Sequence, residues 1–527
     1  MQATRTLLVL TLLALVAVSL PVAGVAATTG PTQSSTDDRQ VTDQSANGTP
    51  TEEPTTNGTI GYVEGYWYDD ELPVDNRSDA VVPEDDLEAV VYRSMARVEV
   101  IRELTFEAAV PVEVITREQF QAENDDLFVD VEGEELFQNV RYETLFMIDR
   151  ESDAIEEYER LYGGSVAGYY DPETDEVVVV TEDGENPELD EITLGHELLH
   201  ALQDQHFDLT EYDAETLDQR SGELGLIEGD AVWVEEEYES RCGLEWACLE
   251  PAGGGTDSTE PNWGLFLTTF QPYSDGPGYV DYLLGEGGWE AVNDAYDDPP
   301  ESSSEVIRPG DDREPVEIVH EDTSEERWER LELEAGPASA SFGEVGMASM
   351  FAAPALDDRE PIVPRGELVD AAGSYNYDYE YTDGWAGDKL VVYATDERTI
   401  AETGYVWHTE WTTDDDAGEF LEGYLEALEI HDAETVDGHE DTVVIEEAFP
   451  GAYYIDRDGE AVTIVRAPTV EELPEIYDGA APEGEDTLVP FAADDGLPGF
   501  GVAATALAVV IVGAMVHRRY WYSGSLR

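Results

Sequence analysis

Two histidines four residues apart, with a glutamate between them, are the residues of this chain best suited to catalysis. They are His196, Glu197 and His200, in the segment EITLGHELLHALQDQHFDL, residues 191–209. Residues four apart lie on one face of a helix, so both imidazoles can point at one metal ion. Glu197 is then able to take a proton from water activated by the metal and pass it to a leaving amine. The motif predicts a zinc-dependent hydrolase of peptide bonds.

Two residues are candidates for the third metal ligand. His206 follows His196 by ten residues, the spacing of sites in which a glycine ends the helix after the second histidine. Gln203 occupies the place of that glycine, and an unbroken helix would turn His206 roughly 80° away from His196. Glu228 flanks the apolar stripe of a second amphipathic segment, SGELGLIEGDAVWVEEEYES. Two histidines and a glutamate leave a fourth position open for water, so we favour Glu228, with His206 as the alternative.

The elements that must position these residues are a hairpin and two helices. SVAGYYDPETDEVVVVTED has two strand patterns around an Asp-Pro turn, and it directly precedes the histidine segment. An edge strand at that place can hold an extended peptide beside the metal. We therefore expect one α+β domain over residues 61–310.

Beyond this domain, an acidic segment rich in proline and serine is expected to be a linker, residues 311–339. GDKLVVYAT and TGYVWHTEWTT then have the pattern of paired strands, and DDDAGEFLEGYLEALEI that of a helix. These segments predict a smaller α+β domain over residues 340–480, followed by a spacer over 481–496. No cluster of catalytic residue types occurs in this second domain.

Three segments together resemble a known group of proteins: HELLHALQDQHFDL, LIEGDAVWVEEEY and QPYSDGPGYVDYLLGEGGWEAVNDAYDDPP. They are similar to poorly characterised zincin-like proteins of bacteria and archaea, in particular exported haloarchaeal surface proteins. The resemblance spans about residues 160–310 and, through GDKLVVY and DDDAGEF, continues beyond Trp385. It implies a zincin-like fold and zinc as cofactor, with a gluzincin arrangement. His196, His200 and Glu228 then match the ligands, and Glu197 the general base.

Two aspartates are spaced so that they could orient the ligand imidazoles. Asp204 follows His200 by four residues, and Asp230 follows Glu228 by two. Metal-binding histidines usually donate their second ring N–H to a carboxylate, a carbonyl or water. Ordinary surface aspartates of an acidic protein explain both positions equally well.

Acidic residues dominate the composition: 25 Lys and Arg stand against 122 Asp and Glu, for a formal net charge of −97. The acidic residues are spread along the whole chain, a pattern typical of proteins from salt-loving archaea. At high salt the Debye length falls to about 3 Å, which screens the self-repulsion. Nucleic acid is excluded as a partner, because phosphate backbones require clustered Lys and Arg. The composition says nothing about oligomeric state.

The first part of the chain predicts export. Residues 1–27 combine Arg5, a long apolar run and small residues at its end, which is typical of a signal peptide; a retained membrane anchor is the alternative. Residues 28–60 form a Thr- and Ser-rich spacer without apolar period, predicted to be disordered. Sequons at Asn47, Asn57 and Asn76 are candidate glycosylation sites. In an exported protein, Cys242 and Cys248 of CGLEWAC predict one disulfide.

The last part of the chain predicts membrane attachment. Residues 497–516 are apolar or small over a length that can cross a bilayer, and residues 517–527 form a cytoplasmic tail with Arg518 and Arg519. Pro498, Gly499 and Phe500 precede the span, and this arrangement resembles the carboxy-terminal sorting signal of haloarchaeal surface proteins. In those proteins a sortase-like membrane enzyme removes the span and a lipid replaces it. The expected partners are thus a protein or peptide substrate and the membrane.

Taken together, these patterns predict an α+β fold: a zincin-like metallopeptidase domain with an HExxH helix, a smaller α+β domain, and a C-terminal transmembrane helix. The expected function is that of an extracellular, membrane-anchored zinc metallopeptidase at the cell surface of a halophilic archaeon. The alternative is a non-catalytic envelope protein that keeps the same fold. Tyr169, Tyr170 and Tyr238 are candidates for stabilising the oxyanion by proximity alone.

Overall fold

The computed structural model describes residues 53–488 apart from 78, 124–132, 164–165, 183, 185–186, 213, 252–259, 312–314, 334–335, 358 and 371–372. The predicted signal peptide, residues 28–52 of the spacer, and Asn47 lie outside the described residues. So do Pro498, Gly499 and Phe500, the apolar span 497–516 and the tail 517–527. Asn57 and Asn76 are described, and both are exposed.

Twelve helices occur in the described part of the chain. Helices α1–α6 are Glu84–Arg102, Arg117–Glu123, Glu134–Thr144, Ala154–Gly163, Glu191–Phe207 and Leu217–Arg241. Helices α7–α12 are Trp263–Gly287, Trp289–Asp297, Ser303–Ile307, Gly343–Leu356, Asp414–Ile430 and Leu473–Ile476. Acidic residues fill the first turns of α1 and α11, where the partial positive charge of a helix N-terminus stabilises them.

Fifteen short and long strands accompany these helices in the described residues. Strands β1–β8 are Tyr62–Val63, Tyr66–Trp67, Val112–Thr116, Gly168–Asp171, Glu176–Thr181, Glu329–Arg330, Glu332–Leu333 and Gly336–Pro337. Strands β9–β15 are Ser339–Ala340, Trp385–Ala394, Thr403–Trp411, Glu434–Thr435, Thr442–Ile445, Gly451–Asp458 and Ala461–Ala467.

Two sheets in the described residues have more than two strands, and β1-β2 and β7-β8 are two-stranded sheets. The smaller sheet has the order β3-β5-β4, with β3 parallel and β4 antiparallel to the central β5. The larger sheet is antiparallel, with the order β12-β13-β14-β15-β11-β10-β6, and β9 also pairs with β10. The buried valines of β5 have the near-continuous apolar pattern of a central strand, which explains its place between β3 and β4.

The hydrophobic core does not divide where the sequence predicted a linker. One cluster of buried residues includes Val140 of α3 and Leu265 of α7, together with Val345 of α10 and Trp407 of β11. Within residues 311–339, predicted as an acidic linker, lie β6, β7, β8 and the start of β9, and β6 and β9 pair with β10. The linker pattern was misleading because short strands at a sheet edge need few apolar residues.

The predicted fold class is therefore wrong. A zincin-like α+β domain, a separate smaller α+β domain and a transmembrane helix were expected. The described residues instead form one mixed α/β arrangement, in which helices from the first half complete the core beneath the larger sheet. Among these residues, none of the helices combines the length and apolarity needed to cross a bilayer. Local patterns predicted the elements but not how the two halves share apolar surface.

Candidate metal centre

The histidine motif lies on α5, whose ends are well defined. The side chain of Asp190 accepts hydrogen bonds from the backbone N–H groups of Ile192 and Thr193 and so caps the first turn. The helix continues without a break to Phe207, and Asp208, with φ 53°, ends it in the left-handed region. Both metal-motif imidazoles are buried, because α6 packs against the side of α5 on which they lie.

Helix α6 brings two glutamates to the same place. Thr216 caps this helix by accepting a hydrogen bond from the backbone N–H of Gln219. Glu228 and Glu235 are seven residues apart, which is nearly two full turns, so they lie on one face. That face packs against α5, and both carboxylates reach the imidazoles.

The three predicted ligands converge on one point. The Nε2 atoms of His196 and His200 lie 3.1 Å apart, and Glu228 Oε2 lies 3.3 Å and 3.4 Å from them. All three side chains are buried. The circle through these three atoms has a radius of about 1.9 Å, which is close to the usual zinc–ligand distance of about 2.0–2.1 Å. The group can therefore hold a metal ion.

Two side chains orient the imidazoles from behind, and neither is one that sequence reasoning proposed. Glu235 Oε2 lies 2.9 Å from His196 Nδ1. Gln203 Oε1 lies 2.8 Å from His200 Nδ1, and Gln203 Nε2 donates to the carbonyl oxygen of Ile227 on α6. With Nδ1 of each ring donating to these oxygens, both Nε2 atoms present a lone pair to the centre of the group.

Signals for both residues were present in the sequence. Glu235 follows Glu228 by two helical turns, so it shares the face on which a ligand had been proposed. Gln203 follows His200 by three residues on the same helix, but it was considered only as the replacement of a glycine. Side chains three residues apart on a helix are neighbours, which would have identified it.

A tyrosine from a third helix completes the surroundings of Glu228. Tyr273 of α7 donates its hydroxyl to Glu228 Oε1 at 2.8 Å. This contact depends on a close crossing of α6 and α7, in which Gly229 faces Gly276. A Cβ on Gly229 would lie 2.4 Å from the carbonyl carbon of Gly276, so only glycine fits there. Sequence reasoning missed Tyr273 because no spacing rule connects α7 to α6.

The predicted general base, Glu197, is buried beside the two histidines and Glu228. Glu197 is 1% exposed, and neither of its carboxylate oxygens has a hydrogen-bond partner among the described residues. Gly168 of β4 adjoins it: a Cβ there would lie 3.5 Å from Glu197 Cγ. An unpartnered buried carboxylate is costly, which makes Glu197 a candidate functional group.

The charges of the site favour a cation. Burial raises the pKa of Glu197 to about 7. Burial would lower the pKa of His196, but its hydrogen bonds with Glu228 and Glu235 raise it to about 10. Burial would likewise raise the pKa of Glu228, yet the two imidazoles lower it to about 2. A positive charge between these groups is thus stabilised by the surrounding carboxylates, whether a proton or a metal ion supplies it.

The remaining predicted site residues lie elsewhere. Asp204 accepts a hydrogen bond from the Tyr170 hydroxyl at 2.6 Å and touches neither imidazole. Asp230 binds the Arg102 guanidinium at 3.0 Å and lies 3.5 Å from Gln203 Nε2, so it supports the site only through that glutamine. His206 Nε2 lies 2.8 Å from the carbonyl oxygen of Thr105, because the unbroken helix turns it away from the centre.

A buried ion-pair network anchors the beginning of α5. Glu191, the first residue of the helix, is fully buried and accepts hydrogen bonds from Arg93, Arg97 and the Tyr238 hydroxyl. The predicted disulfide Cys242–Cys248 is present and closes a loop at the end of α6. The carbonyl of Ala247 in this loop accepts from Arg97. The network thus joins α1, α5 and α6, the last two of which carry the metal group.

The donor set suits a metal ion. Two imidazole nitrogens and one carboxylate oxygen are the ligands of many catalytic zinc sites. Glu228 Oε2 has no conventional hydrogen-bond donor among the described residues apart from the imidazole nitrogens. A bound cation would satisfy this buried oxygen.

Comparison with known proteins covers only the second part of the chain. A family described as a domain of unknown function (DUF8575) matches residues 329–477, which contain all the strands of the larger sheet. The metal group lies outside this match. No curated protein matches the chain. No solved structure matches it either.

Proposed function

We propose that this protein is a zinc-dependent hydrolase of peptide bonds. The observation that carries the proposal is the buried, unpartnered carboxylate of Glu197 beside a buried group of two histidines and a glutamate. A structural site has no need of a free carboxylate, whereas hydrolysis requires a base held close to the reacting water.

Each residue of the site would have a separate task. His196, His200 and Glu228 would hold the zinc ion, which supplies Lewis acidity when bound. Glu197 would accept a proton from the attacking water and deliver it to the nitrogen of the leaving amine. Glu235 and Gln203 keep the two imidazoles in the tautomer that binds metal.

The smaller sheet supports a peptide as the substrate. Strand β4 is the last strand in the order β3-β5-β4, and its Gly168 adjoins Glu197. An extended peptide can add to such an edge through main-chain hydrogen bonds. Because Gly168 carries no side chain, a substrate backbone could approach the base closely at this position.

The proposal includes an extracellular location. The Cys242–Cys248 disulfide suits an oxidising compartment, and the first 27 residues have the pattern of a signal peptide. Attachment to the membrane is proposed from the sequence alone.

Hydrolysis of casein in concentrated salt tests the proposal, with zinc content measured on the same preparations. We expect the parent to cleave casein and Glu197→Gln to bind zinc equally but to hydrolyse at least about 100-fold more slowly. Glu239→Gln, an exposed change on α6, serves as the control and should keep full activity. A parent that binds zinc without hydrolysing would instead indicate a non-catalytic envelope protein. A parent without zinc would overturn the zinc assignment and, with it, the proposed hydrolase.

A further inference from the structure

We infer that Tyr273 is a positioning residue that limits Glu228 to one metal-binding oxygen. The two carboxylate oxygens of Glu228 have different partners. Oε2 faces both imidazole Nε2 atoms at 3.3 Å and 3.4 Å, whereas Oε1 accepts the Tyr273 hydroxyl at 2.8 Å. The inference rests on the proposed function, because it takes His196, His200 and Glu228 as zinc ligands.

The ring of Tyr273 is held firmly enough to do this. Phe266, Phe270 and Tyr273 follow one another at helical spacing along α7, and their rings are nearly parallel. The Phe266 and Phe270 centroids lie 5.2 Å apart at 15°, and those of Phe270 and Tyr273 lie 5.7 Å apart at 19°. Tyr273 is in turn nearly parallel to the His196 imidazole, at 6.4 Å and 13°. Stacked neighbours on both sides therefore restrict rotation of this ring.

Helix packing and burial also restrain the Glu228 carboxylate. The crossing at Gly229 and Gly276 brings the α7 backbone against α6 next to Glu228. Glu228 is 0% exposed, so its carboxylate cannot turn into solvent to exchange its oxygens. The hydroxyl of Tyr273 thus contacts Oε1 and not Oε2, the oxygen that lies nearest both imidazoles.

This restraint has a chemical consequence for the metal. A glutamate can bind an ion through one oxygen or through both. With one oxygen bound, two imidazoles and Glu228 supply three ligands, and a fourth position stays open for water or substrate. With both oxygens bound, the carboxylate would occupy that additional position. Tyr273 therefore keeps the site open by holding Oε1.

Cobalt-substituted protein provides the test, because visible absorption of Co²⁺ weakens as its coordination number rises. Tyr273→Phe removes the hydroxyl and leaves the stacked ring, so the fold is retained. We expect this variant to bind one Co²⁺ per chain with a visible extinction coefficient lower by roughly twofold or more. Tyr377→Phe is the control. It removes a buried hydroxyl that donates to the carbonyl oxygen of Leu267 on α7 and not to a metal ligand.

The outcomes separate this inference from the proposed function. An unchanged Co²⁺ spectrum in Tyr273→Phe, with the parent binding Co²⁺ normally, would overturn the inference and leave the peptidase proposal intact. Equal spectral changes in Tyr273→Phe and Tyr377→Phe would also overturn it, since both would then report a general loosening of α7. A parent that fails to bind Co²⁺ would overturn the proposed function and this inference together.

Discussion

The contact between Glu235 and His196 allows a direct test of how the site binds its metal. Glu235→Gln keeps the shape of the side chain and an oxygen that can accept from His196 Nδ1, but it removes the charge. The parent contact is 2.9 Å long and the Glu235 side chain is 23% exposed. We therefore expect the imidazole to keep its orientation but to become a weaker metal ligand.

The size of the effect follows from the type of hydrogen bond. Bonds to charged acceptors contribute about 1.5–3 kcal/mol, and neutral ones about 0.5–1.5 kcal/mol. Because Glu235 is partly exposed, this contact belongs in the lower half of each range. Glu235→Gln should therefore weaken the free energy of zinc binding by about 1–1.5 kcal/mol. That corresponds to a roughly tenfold rise in the zinc dissociation constant. Losing the neighbours of metal ligands has effects of about 10–100-fold in known sites.

The assay is competition for zinc against a chromophoric chelator in concentrated salt. The matched control is Asp204→Asn, which makes the same carboxylate-to-amide change on α5. Asp204 contacts the Tyr170 hydroxyl rather than an imidazole, so its zinc affinity should stay within about twofold of the parent. If the two variants lose zinc affinity equally, or Glu235→Gln loses none, the assignment of Glu235 as the partner of His196 is refuted.

Two further predictions concern the fold around the site. Gly229→Ala should lower the free energy of unfolding by about 3 kcal/mol, because its Cβ would meet the Gly276 backbone at 2.4 Å. Gly278→Ala, on α7 with nothing within 4 Å of its Cβ, should instead stabilise by about 0.5–1 kcal/mol; equal effects in thermal unfolding would contradict this packing. Burial raises the pKa of Asp218 to about 7, so the stability that this group contributes when protonated is lost as the pH rises from about 4 through 7. Asp218→Asn keeps the oxygen that accepts from Ser303. Its free energy of unfolding should therefore exceed that of the parent by up to about 4 kcal/mol at pH 8 and by almost nothing at pH 4. A difference in unfolding free energy that does not depend on pH would contradict the raised pKa of Asp218.

Much of the local structure was predictable, because it depends on near neighbours in the chain. The amphipathic pattern predicted α6, and the spacing of the histidine motif predicted the helix α5. Four-residue spacing placed His196 and His200 on one face. That Glu235 orients an imidazole and the predicted Asp230 does not depends on the rotation of α6 against α5, which no local pattern contains.

The division into domains, in contrast, could not be predicted from local patterns. An acidic, proline-containing segment resembles a linker, but here it supplies the edge strands β6 and β9. Helices from the first half, such as α3 and α7, bury their apolar sides beneath the larger sheet. The hydrophobic effect does not depend on where two apolar surfaces lie in the chain. Composition therefore could not show that helices of the first half pack against the larger sheet.

The amino-acid sequence by itself determined which side chains could serve a metal: two imidazoles one helical turn apart, a base between them, and a glutamate on a neighbouring helix. Helical periodicity is a local property, and it needs only the residues within one or two turns. The tertiary structure alone decided that Glu235 and Tyr273 orient these ligands, since each reaches its partner across a specific helix contact. Such contacts depend on the crossing of packed helices, and two facing glycines set the closest of these crossings.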